Sequence, residues 1–362
     1  MRQVYIILTK KCNLNCVFCI RDYSQNINYN LDLRNIQCIL AEIKKNFPNT
    51  NIILSGGEPT LHKEFDLILE KTCEIFDNVT INTNGTTDFF QTDFFIKFIK
   101  KFNIKIQFSL DGESNLHNEL RGKNNYEKTL NNIMFCSNFS NIKIQVSSTV
   151  SDKRFLKDFN KVYDDISNIN NLKWDIKRVS YSGNASIKDY QYLKNDIWNS
   201  IVDEIKLIDS KNIINIYKTF DFNFLDALDN KVINGFSKQI VKNCGSGYQK
   251  IYIYPNMDVL SCTCYESYPS GNLLENNLNE ILTSKRHLTI QNQIIDNSVC
   301  NDCKYKILCN GGCLGSGFFT YNKHNVADIR CPKIYDFSKN IDETDNSLND
   351  YWKNKTISVE NI

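Results

Sequence analysis

The sequence predicts an α/β fold in which a parallel sheet carries helices outside it, followed by a smaller cysteine-rich domain. Short apolar runs alternate with amphipathic stretches six times, as in chains of β/α units. The alternation stops after about residue 220, and eight cysteines then lie between residues 244 and 331. Motifs with Gly, Pro and Asn directly after the predicted strands indicate where the functional site lies.

Six short apolar runs define the predicted strands, which are residues 4–8, 51–55, 78–83, 104–110, 142–150 and 172–180. The helical patterns between and after them fall at about 31–47, 63–76, 91–102, 125–139, 153–168 and 188–210. This order suits an open or closed barrel, and also a doubly wound sheet. In each of these, functional sites lie at the C-terminal ends of the strands.

Composition limits the classes of function. The chain has 362 residues and a formal net charge of +2, without the basic stripe of a nucleic-acid-binding protein. The first apolar run is too short for a signal peptide, and no apolar stretch reaches the roughly 18 residues that a membrane span needs. We therefore expect a cytoplasmic enzyme with no nucleic-acid or membrane partner. Fourteen cysteines in a reducing compartment indicate metal ligands rather than disulfides.

Four special loops follow the first four predicted strands. They are the cysteine loop 12–19, "SGGEP" (55–59), "TNG" (83–85) and "SLDG" (109–112). Because the ends of parallel strands share one rim, these loops predict a single active site there.

The cysteine loop places three thiols, Cys12, Cys16 and Cys19, within eight residues. Thiolates suit iron–sulfur clusters and zinc. Three ligands leave one metal position open for a substrate or cofactor. The alternative is a structural zinc loop that recruits a distant fourth ligand.

The C-x3-C-x2-C motif after strand one, together with "GGEP" after strand two, resembles the radical S-adenosylmethionine (SAM) superfamily. The resemblance covers residues 1 to about 215 and implies a partial (β/α)6 barrel. It implies that Cys12, Cys16 and Cys19 hold a 4Fe–4S cluster whose fourth iron is chelated by SAM. Reductive cleavage of SAM would give a 5′-deoxyadenosyl radical that abstracts a hydrogen atom. Residues implied to contact SAM are Phe18, Gly56, Gly57, Glu58, Asn84, Ser109 and Arg121.

The later cysteines are similar to those of the SPASM extension, which carries two auxiliary 4Fe–4S clusters behind many radical SAM barrels. The resemblance implies one cluster on Cys300, Cys303, Cys309 and Cys331. It implies a second on Cys244, Cys262 and Cys313, for which Cys264 is our candidate fourth ligand. The alternatives are a pair of zinc sites, or an open iron beside a free Cys264. Three 4Fe–4S clusters are therefore expected in all.

The expected domains are a radical SAM barrel (1–220), a bridge (221–243), a SPASM domain (244–335) and a tail (336–362). The family usually has Gly where this chain has Met257. We expect a β-hairpin there, with Asn256 in the positive-φ position. Three isolated cysteines within helical patterns, Cys38, Cys73 and Cys136, are expected to be small buried hydrophobes.

The resemblance is closest to enzymes that mature ribosomally made peptides. It implies an intramolecular crosslink, C–C, thioether or ether, in a precursor peptide, with a flavodoxin or ferredoxin as electron donor. The alternatives are a peptide epimerase, a dehydrogenase or epimerase of a small molecule such as an aminoglycoside, and a non-catalytic iron–sulfur scaffold. Sulfatase maturases have an Asp base directly after the second SPASM cysteine, where this chain has Thr263, so that activity is disfavoured. Candidate catalytic residues near strand six are Asp175, Lys177, Arg178 and Tyr181.

Overall fold

The structure, a computed structural model, describes residues 1–21, 30–180, 182–185, 193, 195–216, 244–292, 298–309, 311–328, 330–331 and 333. Tyr181, the bridge 221–243 and the tail 336–362 lie outside the described residues. Within this described part, no helix is both long and apolar enough to cross a lipid bilayer.

One sheet runs through the described parts of the chain in the order β10-β9-β8-β1-β2-β3-β4-β5-β6-β7. Its strands are β1 (Gln3–Ile7), β2 (Asn51–Ser55), β3 (Val79–Thr83), β4 (Ile104–Ser109), β5 (Ile142–Val150), β6 (Lys173–Arg178), β7 (Ile214–Ile216), β8 (Lys250–Ile253), β9 (Asp258–Leu260) and β10 (Gly271–Asn272). The first seven are parallel and follow one another in sequence order. A doubly wound sheet would reverse its order at a switch point, so the partial-barrel alternative is the one observed.

Seven helices accompany these parallel strands within the described residues. They are α1 (Leu33–Asn46), α2 (Phe65–Ile75), α3 (Asp93–Phe98), α4 (Ser114–Arg121), α5 (Asn125–Ser137), α6 (Phe155–Ile166) and α7 (Asn195–Ile208). All six predicted strands are confirmed within two residues. The sequence pattern does not reveal α4 and β7, which are too short to show a clear period.

The helices pack through one apolar face, as α1 illustrates. Its N-cap Asp32 accepts a hydrogen bond from the Asn35 amide, and its core face includes Ile36 and Ile43. The expectation that Cys38 is buried was wrong, because this residue lies on the exposed face of α1. Cys136 on α5 is fully buried as expected.

The cysteine-rich segment joins the same sheet. β8 pairs in parallel with β1, Gln3 opposite Lys250, and β9 and β10 follow antiparallel. Further helices are α8 (Leu278–Thr283), α9 (Lys285–Gln291), α10 (Ser298–Asn301), α11 (Lys306–Cys309) and α12 (Leu314–Tyr321). Asn277 and Glu280 form a capping box at the start of α8.

The β8–β9 turn corrects one expectation. Met257 itself takes the positive φ of 69°, and Asn256 does not. A left-handed conformation costs a non-glycine residue roughly 1–2 kcal/mol. The Met257 side chain is only 3% exposed within the main core, and its burial offsets this cost. Asn256 instead donates from its side chain to Asp258, at 2.6 Å.

Candidate active site and cluster sites

A cavity of 760 Å³ opens at the C-terminal ends of the barrel strands. It brings together most of the sequence-predicted site residues. Those that line it are Cys12, Cys16, Phe18, Cys19, Gly56, Gly57, Asn84, Ser109, Arg121, Lys177 and Arg178. Glu58 and Asp175 lie nearby but are not part of the lining.

The two glycines after β2 let the cysteine loop lie directly on the β2 loop. The Gly57 amide donates to the Thr9 carbonyl at 2.8 Å, and the Glu58 amide donates to the Lys11 carbonyl at 2.9 Å. A Cβ on Gly56 would lie 2.7 Å from the Thr9 oxygen, and one on Gly57 would lie 2.3 Å from the Lys11 oxygen. Both glycines are therefore required by the close approach of the two backbones.

Glu58 is fully buried, and both of its carboxylate oxygens accept hydrogen bonds from neighbouring residues. One oxygen accepts from the Thr60 amide (3.2 Å) and from the hydroxyls of Thr60 (2.7 Å) and Thr83 (2.8 Å). The other oxygen accepts from the Asn84 amide at 2.8 Å. Burial raises the pKa of this carboxyl, against these hydrogen bonds. Glu58 thus fixes the β2 loop against the β3 loop, and its contact with SAM stays a prediction.

Asn84 links the β3 loop to the cysteine loop. Its side-chain amide donates to Asn13 Oδ1 at 2.9 Å and lies 3.9 Å from the Cys12 sulfur. Its side-chain oxygen accepts from the amide and the hydroxyl of Thr86. Asn84 is therefore held beside the first cysteine with its orientation fixed.

Arg121 lies beside the second cysteine. Its Nε forms a buried ion pair with Asp111, and its NH1 group is 3.8 Å from the Cys16 sulfur. Its guanidinium carbon lies 5.3 Å from the centre of the Phe18 ring. Asp111 also accepts from the Thr149 amide, at 2.6 Å. Arg121 therefore places a fixed positive charge at the cysteines, where it offsets the negative charge of thiolates.

The cysteine loop has the donor set of an iron–sulfur site. Burial raises the pKa of the Cys12 thiol to about 12, against the hydrogen bond from the Leu14 amide. Burial also raises the pKa of Cys16. A bound metal takes the proton from such thiols, because a coordinating thiol is deprotonated. In the described residues no three His, Cys, Asp or Glu side chains converge on the position of a single ion. The ligands of a cubane cluster bind separate irons.

The loop after β6 holds the cysteine loop in place through hydrogen bonds that the sequence pattern does not predict. The Asn184 amide donates to the Cys19 carbonyl at 2.8 Å, and its side chain donates to the Cys16 carbonyl at 3.1 Å. Gly183 has a φ of 62°, and a Cβ there would lie 2.2 Å from the Cys19 oxygen. The run "SGNAS" (182–186) was the available turn signal.

The structure brings Cys244, Cys262, Cys264 and Cys313 into one neighbourhood. Cys264 donates to the Cys262 sulfur, which lowers the pKa of Cys262 and raises that of Cys264. Burial raises the pKa of Cys313 to about 12, and Cys244 and Cys262 are close enough to contribute. A Cβ on Gly315 would lie 3.0 Å from the Cys262 sulfur. Four sulfurs here fit the ligand set implied for the first auxiliary cluster.

The remaining four cysteines group separately. Burial raises the pKa of Cys309 to about 12, and Cys331 and Cys300 are among the neighbours that contribute. The Cys303 amide donates to the Cys300 carbonyl at 3.2 Å. This neighbourhood matches the ligand set implied for the second auxiliary cluster.

A buried ion pair joins the cysteine-rich segment to the barrel. Arg330 Nε lies 2.9 Å from Asp328 Oδ1, and Asp328 is fully buried. Asp328 accepts from the Cys313 amide at 3.0 Å, and Arg330 NH1 donates to the Val179 carbonyl at 2.8 Å. These bonds fix Cys313 relative to the end of β6.

Two of the three candidate residues on β6 line the cavity. Lys177 and Arg178 line the cavity, whereas Asp175, two residues before Lys177 on β6, is buried outside the lining. Asp175 accepts from Gln145 and, at 3.2 Å, from Asn215 on β7. Its oxygens are thus engaged inside the barrel.

His117 makes folding stability depend on pH. It is fully buried, accepts from the Asp111 amide at 3.1 Å, and burial lowers its pKa to about 3. The unfolded chain binds a proton near pH 6.5 and the folded chain does not, so stability falls as pH drops from about 6.5 towards 3. Between pH 7.5 and 5.5 we expect a loss of about 1 kcal/mol from this residue.

The measurement is urea unfolding at both pH values, compared with His117→Asn. Asn keeps an acceptor for the Asp111 amide but does not titrate. The variant should lose about 1 kcal/mol less than the wild type over this range. Equal losses would show that His117 is not the source.

Comparison with known families identifies the class of protein. The Radical SAM superfamily matches residues 6–165, and SPASM, an iron–sulfur cluster-binding domain, matches residues 244–304. The chain therefore belongs to the radical SAM superfamily and carries a C-terminal SPASM domain. It is an enzyme of that superfamily, whose cofactors are 4Fe–4S clusters and SAM.

Among its relatives is SkfB, the sporulation killing factor maturation protein of Bacillus subtilis (strain 168). It is 32% identical over 148 residues, which are 40% of this chain and 35% of SkfB. A cysteine-type anaerobic sulfatase-maturating enzyme of Clostridium novyi (strain NT) is 24% identical over 92% of this chain and 93% of that enzyme. Mycofactocin maturase MftC of Mycobacterium ulcerans (strain Agy99) is 22% identical over 91% of this chain and 87% of its own.

Two solved structures share the fold. SuiB of Streptococcus suis, bound to its precursor peptide SuiA, has a TM-score of 0.74 at 20% identity. The match covers 91% of this chain and 75% of SuiB. The enzyme anSMEcpe with bound AdoMet has a TM-score of 0.70 at 16% identity, and the match covers 98% of each chain.

Proposed function

We propose that this enzyme is a peptide maturase that forms an intramolecular crosslink, C–C, thioether or ether, in a precursor peptide. The observation that carries the proposal is the 760 Å³ cavity, which opens on the three cysteines of the N-terminal loop. Its lining extends beyond them to Ser147, Thr149 and Lys177 on β5 and β6, which leaves wall for a second ligand beside a cofactor. The similarities to SkfB and to SuiB with its precursor peptide support a peptide as that ligand.

We assign three 4Fe–4S clusters to the chain. Cys12, Cys16 and Cys19 hold the first, and the auxiliary clusters take the ligand sets described above. Together with SAM, the cluster that Cys12, Cys16 and Cys19 would hold would supply the radical chemistry that removes one hydrogen atom from a substrate C–H bond. Crosslinking also removes a second hydrogen, as a proton and an electron, and the clusters that the auxiliary cysteines would hold would accept that electron. A flavodoxin or ferredoxin supplies the electron that starts the reaction.

The protein's own residues contribute to the reaction by positioning the reacting groups. Gly57 and Glu58 fix the cysteine loop to the β2 loop, and Asn184 fixes it to the β6 loop. Arg121 holds positive charge at the cysteines. Together these contacts hold the reacting groups in one arrangement, which is how enzymes turn a bimolecular step into a unimolecular one.

Co-expression with the short open reading frame beside the gene tests the function. Tandem mass spectrometry should find a peptide that is lighter by two hydrogens. The Cys12→Ala, Cys16→Ala, Cys19→Ala variant should leave that peptide unchanged. A mass that is unchanged in ordinary water but rises by the uptake of deuterium in deuterated water would indicate epimerisation. An unmodified peptide with wild-type enzyme that still cleaves SAM would contradict peptide crosslinking.

Cys264 completes the first auxiliary cluster in this proposal. Cys264→Ser should change the electron paramagnetic resonance spectrum of that reduced cluster, because a ligand is exchanged or lost. The control is Cys136→Ser, which alters a buried thiol on α5 away from the clusters. An unchanged spectrum in the Cys264→Ser variant would mean that Cys264 is not a ligand and that one iron of the auxiliary cluster has no cysteine bound to it.

Sulfatase maturation is the second candidate, supported by the full-length similarity to the Clostridium novyi enzyme. Against it, Thr263 stands where the resemblance requires an Asp base. Asp258 does not substitute, because its carboxylate accepts from Asn256 and Asn272 within the hairpin. We therefore expect no conversion of a cysteine-bearing sulfatase peptide.

A further inference from the structure

Arg121 is held by protein partners on two sides of its guanidinium. Its Nε forms an ion pair with Asp111, and its NH1 group lies 3.8 Å from the Cys16 sulfur. The guanidinium carbon lies 5.3 Å from the centre of the Phe18 ring, which is a second contact with the cysteine loop. The geometry thus directs this arginine at a cysteine sulfur, in addition to the contact with SAM that the resemblance implies.

Asp111 is fixed by contacts of its own. Its side chain is fully buried, and its Oδ1 accepts from the Thr149 amide on β5 at 2.6 Å. Its backbone amide donates to His117 Nδ1 at 3.1 Å. Burial lowers the pKa of His117 to about 3, so this ring is neutral at pH 7 and adds no charge beside the ion pair. Asp111 therefore has a fixed position from which its other carboxylate oxygen holds Arg121.

Helix α4 brings two partners of Asp111 to the same place. His117 and Arg121 are four residues apart, so they lie on one face of the helix. The turn between β4 and α4 passes through Gly112, which has a φ of 109°. A Cβ there would lie 2.9 Å from Asp158 Oδ2, so the backbone conformation and the space both require glycine. The turn itself therefore sets Asp111 against α4.

The ion pair is placed to act on a bound cluster with little screening by water. The Arg121 side chain is 11% exposed, and the Asp111 side chain is not exposed. Reduction adds one negative charge to an iron–sulfur cluster, so a nearby cation favours the reduced form and a nearby anion opposes it. A protein sets the reduction potential of a cluster through net charge, hydrogen bonds to the sulfurs and solvent exposure. Arg121 brings the first two of these to Cys16.

We propose that Asp111 is a positioning residue that holds Arg121 against Cys16, and that the two opposite charges together set the reduction potential of the N-terminal cluster. Arg121 raises this potential, and Asp111 keeps it below the value that Arg121 alone would give. The inference rests on the part of the proposed function that places a 4Fe–4S cluster on Cys12, Cys16 and Cys19, and it is independent of the substrate.

The test is a redox titration of the anaerobically reconstituted enzyme, followed by electron paramagnetic resonance. The signal that changes when SAM is added belongs to the N-terminal cluster, because a new ligand alters the spectrum of its iron. Arg121→Gln should lower the potential of this cluster by about 59 mV, which is a tenfold change in a one-electron reduction equilibrium. Asp111→Asn should raise it by about as much. The double variant Asp111→Asn, Arg121→Gln should lie close to the wild type.

The opposite signs separate a role of charge from a role in folding alone, because a loosened site would shift both single variants in the same direction. Arg121→Lys keeps the charge and should lie closer to the wild type than Arg121→Gln does. The matched control is Glu119→Gln, which removes a negative charge from the same helix at a side chain that is 58% exposed. Solvent screens that charge, so the potential should not change.

Each single variant leaves one buried charge without its partner, and this can unfold the site. Circular dichroism and iron content identify any variant for which that is so. In that case the double variants Asp111→Asn, Arg121→Lys and Asp111→Asn, Arg121→Gln are compared, since the first keeps a cation without its anion and the second has neither charge. The first should have the higher potential, and equal potentials overturn the proposal.

The affinity for SAM, measured on the same samples, decides whether Arg121 serves the cofactor instead. Lost SAM affinity with unchanged potentials overturns the proposal, and so do shifts of the same sign in Arg121→Gln and Asp111→Asn. A wild-type enzyme without a signal that responds to SAM would contradict the cluster assignment in the proposed function, and this inference would fall with it. If that signal is present and the variants do not shift its potential, only this inference fails.

Discussion

Gly57→Ala should lower reductive cleavage of SAM by about a hundredfold or more. The new Cβ would lie 2.3 Å from the Lys11 oxygen and 2.8 Å from the Lys10 oxygen, so the backbone of the cysteine loop must move. Cys12, which we propose as a cluster ligand, follows immediately in that loop, and the movement displaces it. The measurements are 5′-deoxyadenosine formation and iron content after anaerobic reconstitution, both of which should fall.

The matched control is Gly271→Ala. Its Cβ would also be crowded, at 2.9 Å, but against the Ile281 side chain, which can shift, and away from the N-terminal cysteines. We expect a modest loss of stability and near-normal SAM cleavage. If Gly57→Ala cleaves SAM as well as Gly271→Ala does, the close approach of the two loops is not required.

Arg330→Met should destabilise the enzyme by about 3–5 kcal/mol, because it leaves the Asp328 carboxylate buried without its cation. It should also disturb the auxiliary sites, since Asp328 accepts from the Cys313 amide. Urea unfolding measures the first effect. The iron lost from the protein relative to the wild type measures the second.

Arg154→Met supplies the control for an exposed ion pair. Arg154 bonds Glu119 at 2.8 Å and Asp152 at 2.9 Å, yet its side chain is 45% exposed. Exposed pairs contribute roughly 0–1 kcal/mol. The double variant Asp328→Asn, Arg330→Met should recover part of the stability that Arg330→Met loses. Equal losses of stability in Arg330→Met and Arg154→Met would show that the buried ion pair does not stabilise the protein more than an exposed one.

The barrel strands were predictable because each is a continuous apolar run between turn signals. The same reasoning failed for β7, where Ile214–Ile216 gives too few residues to show a period. It also failed at Cys38, because a helical pattern alone does not say which face a single residue takes. At Met257, core packing outweighed the preference for Gly or Asn at positive φ.

The residues around the cavity likewise divide into those that the sequence predicts and those that it does not. Spacing and motif identified the cysteines and the "GGEP" loop, since these residues are close in sequence. The sequence did not reveal that Asn184 donates a hydrogen bond to the cysteine loop or that Arg330 donates one to the Val179 carbonyl. Those contacts join residues far apart in the chain, and only the tertiary fold brings them together.

The pairing of β8 with β1 has a consequence for synthesis of the chain. Gln3 is made before its partner Lys250, on the order of tens of seconds earlier during translation. Until then β1 is an open edge, with unpaired amides and carbonyls on one side, and such edges promote aggregation. The nascent chain thus needs protection at β1, and a fragment cut at the end of the barrel would carry that exposed edge permanently.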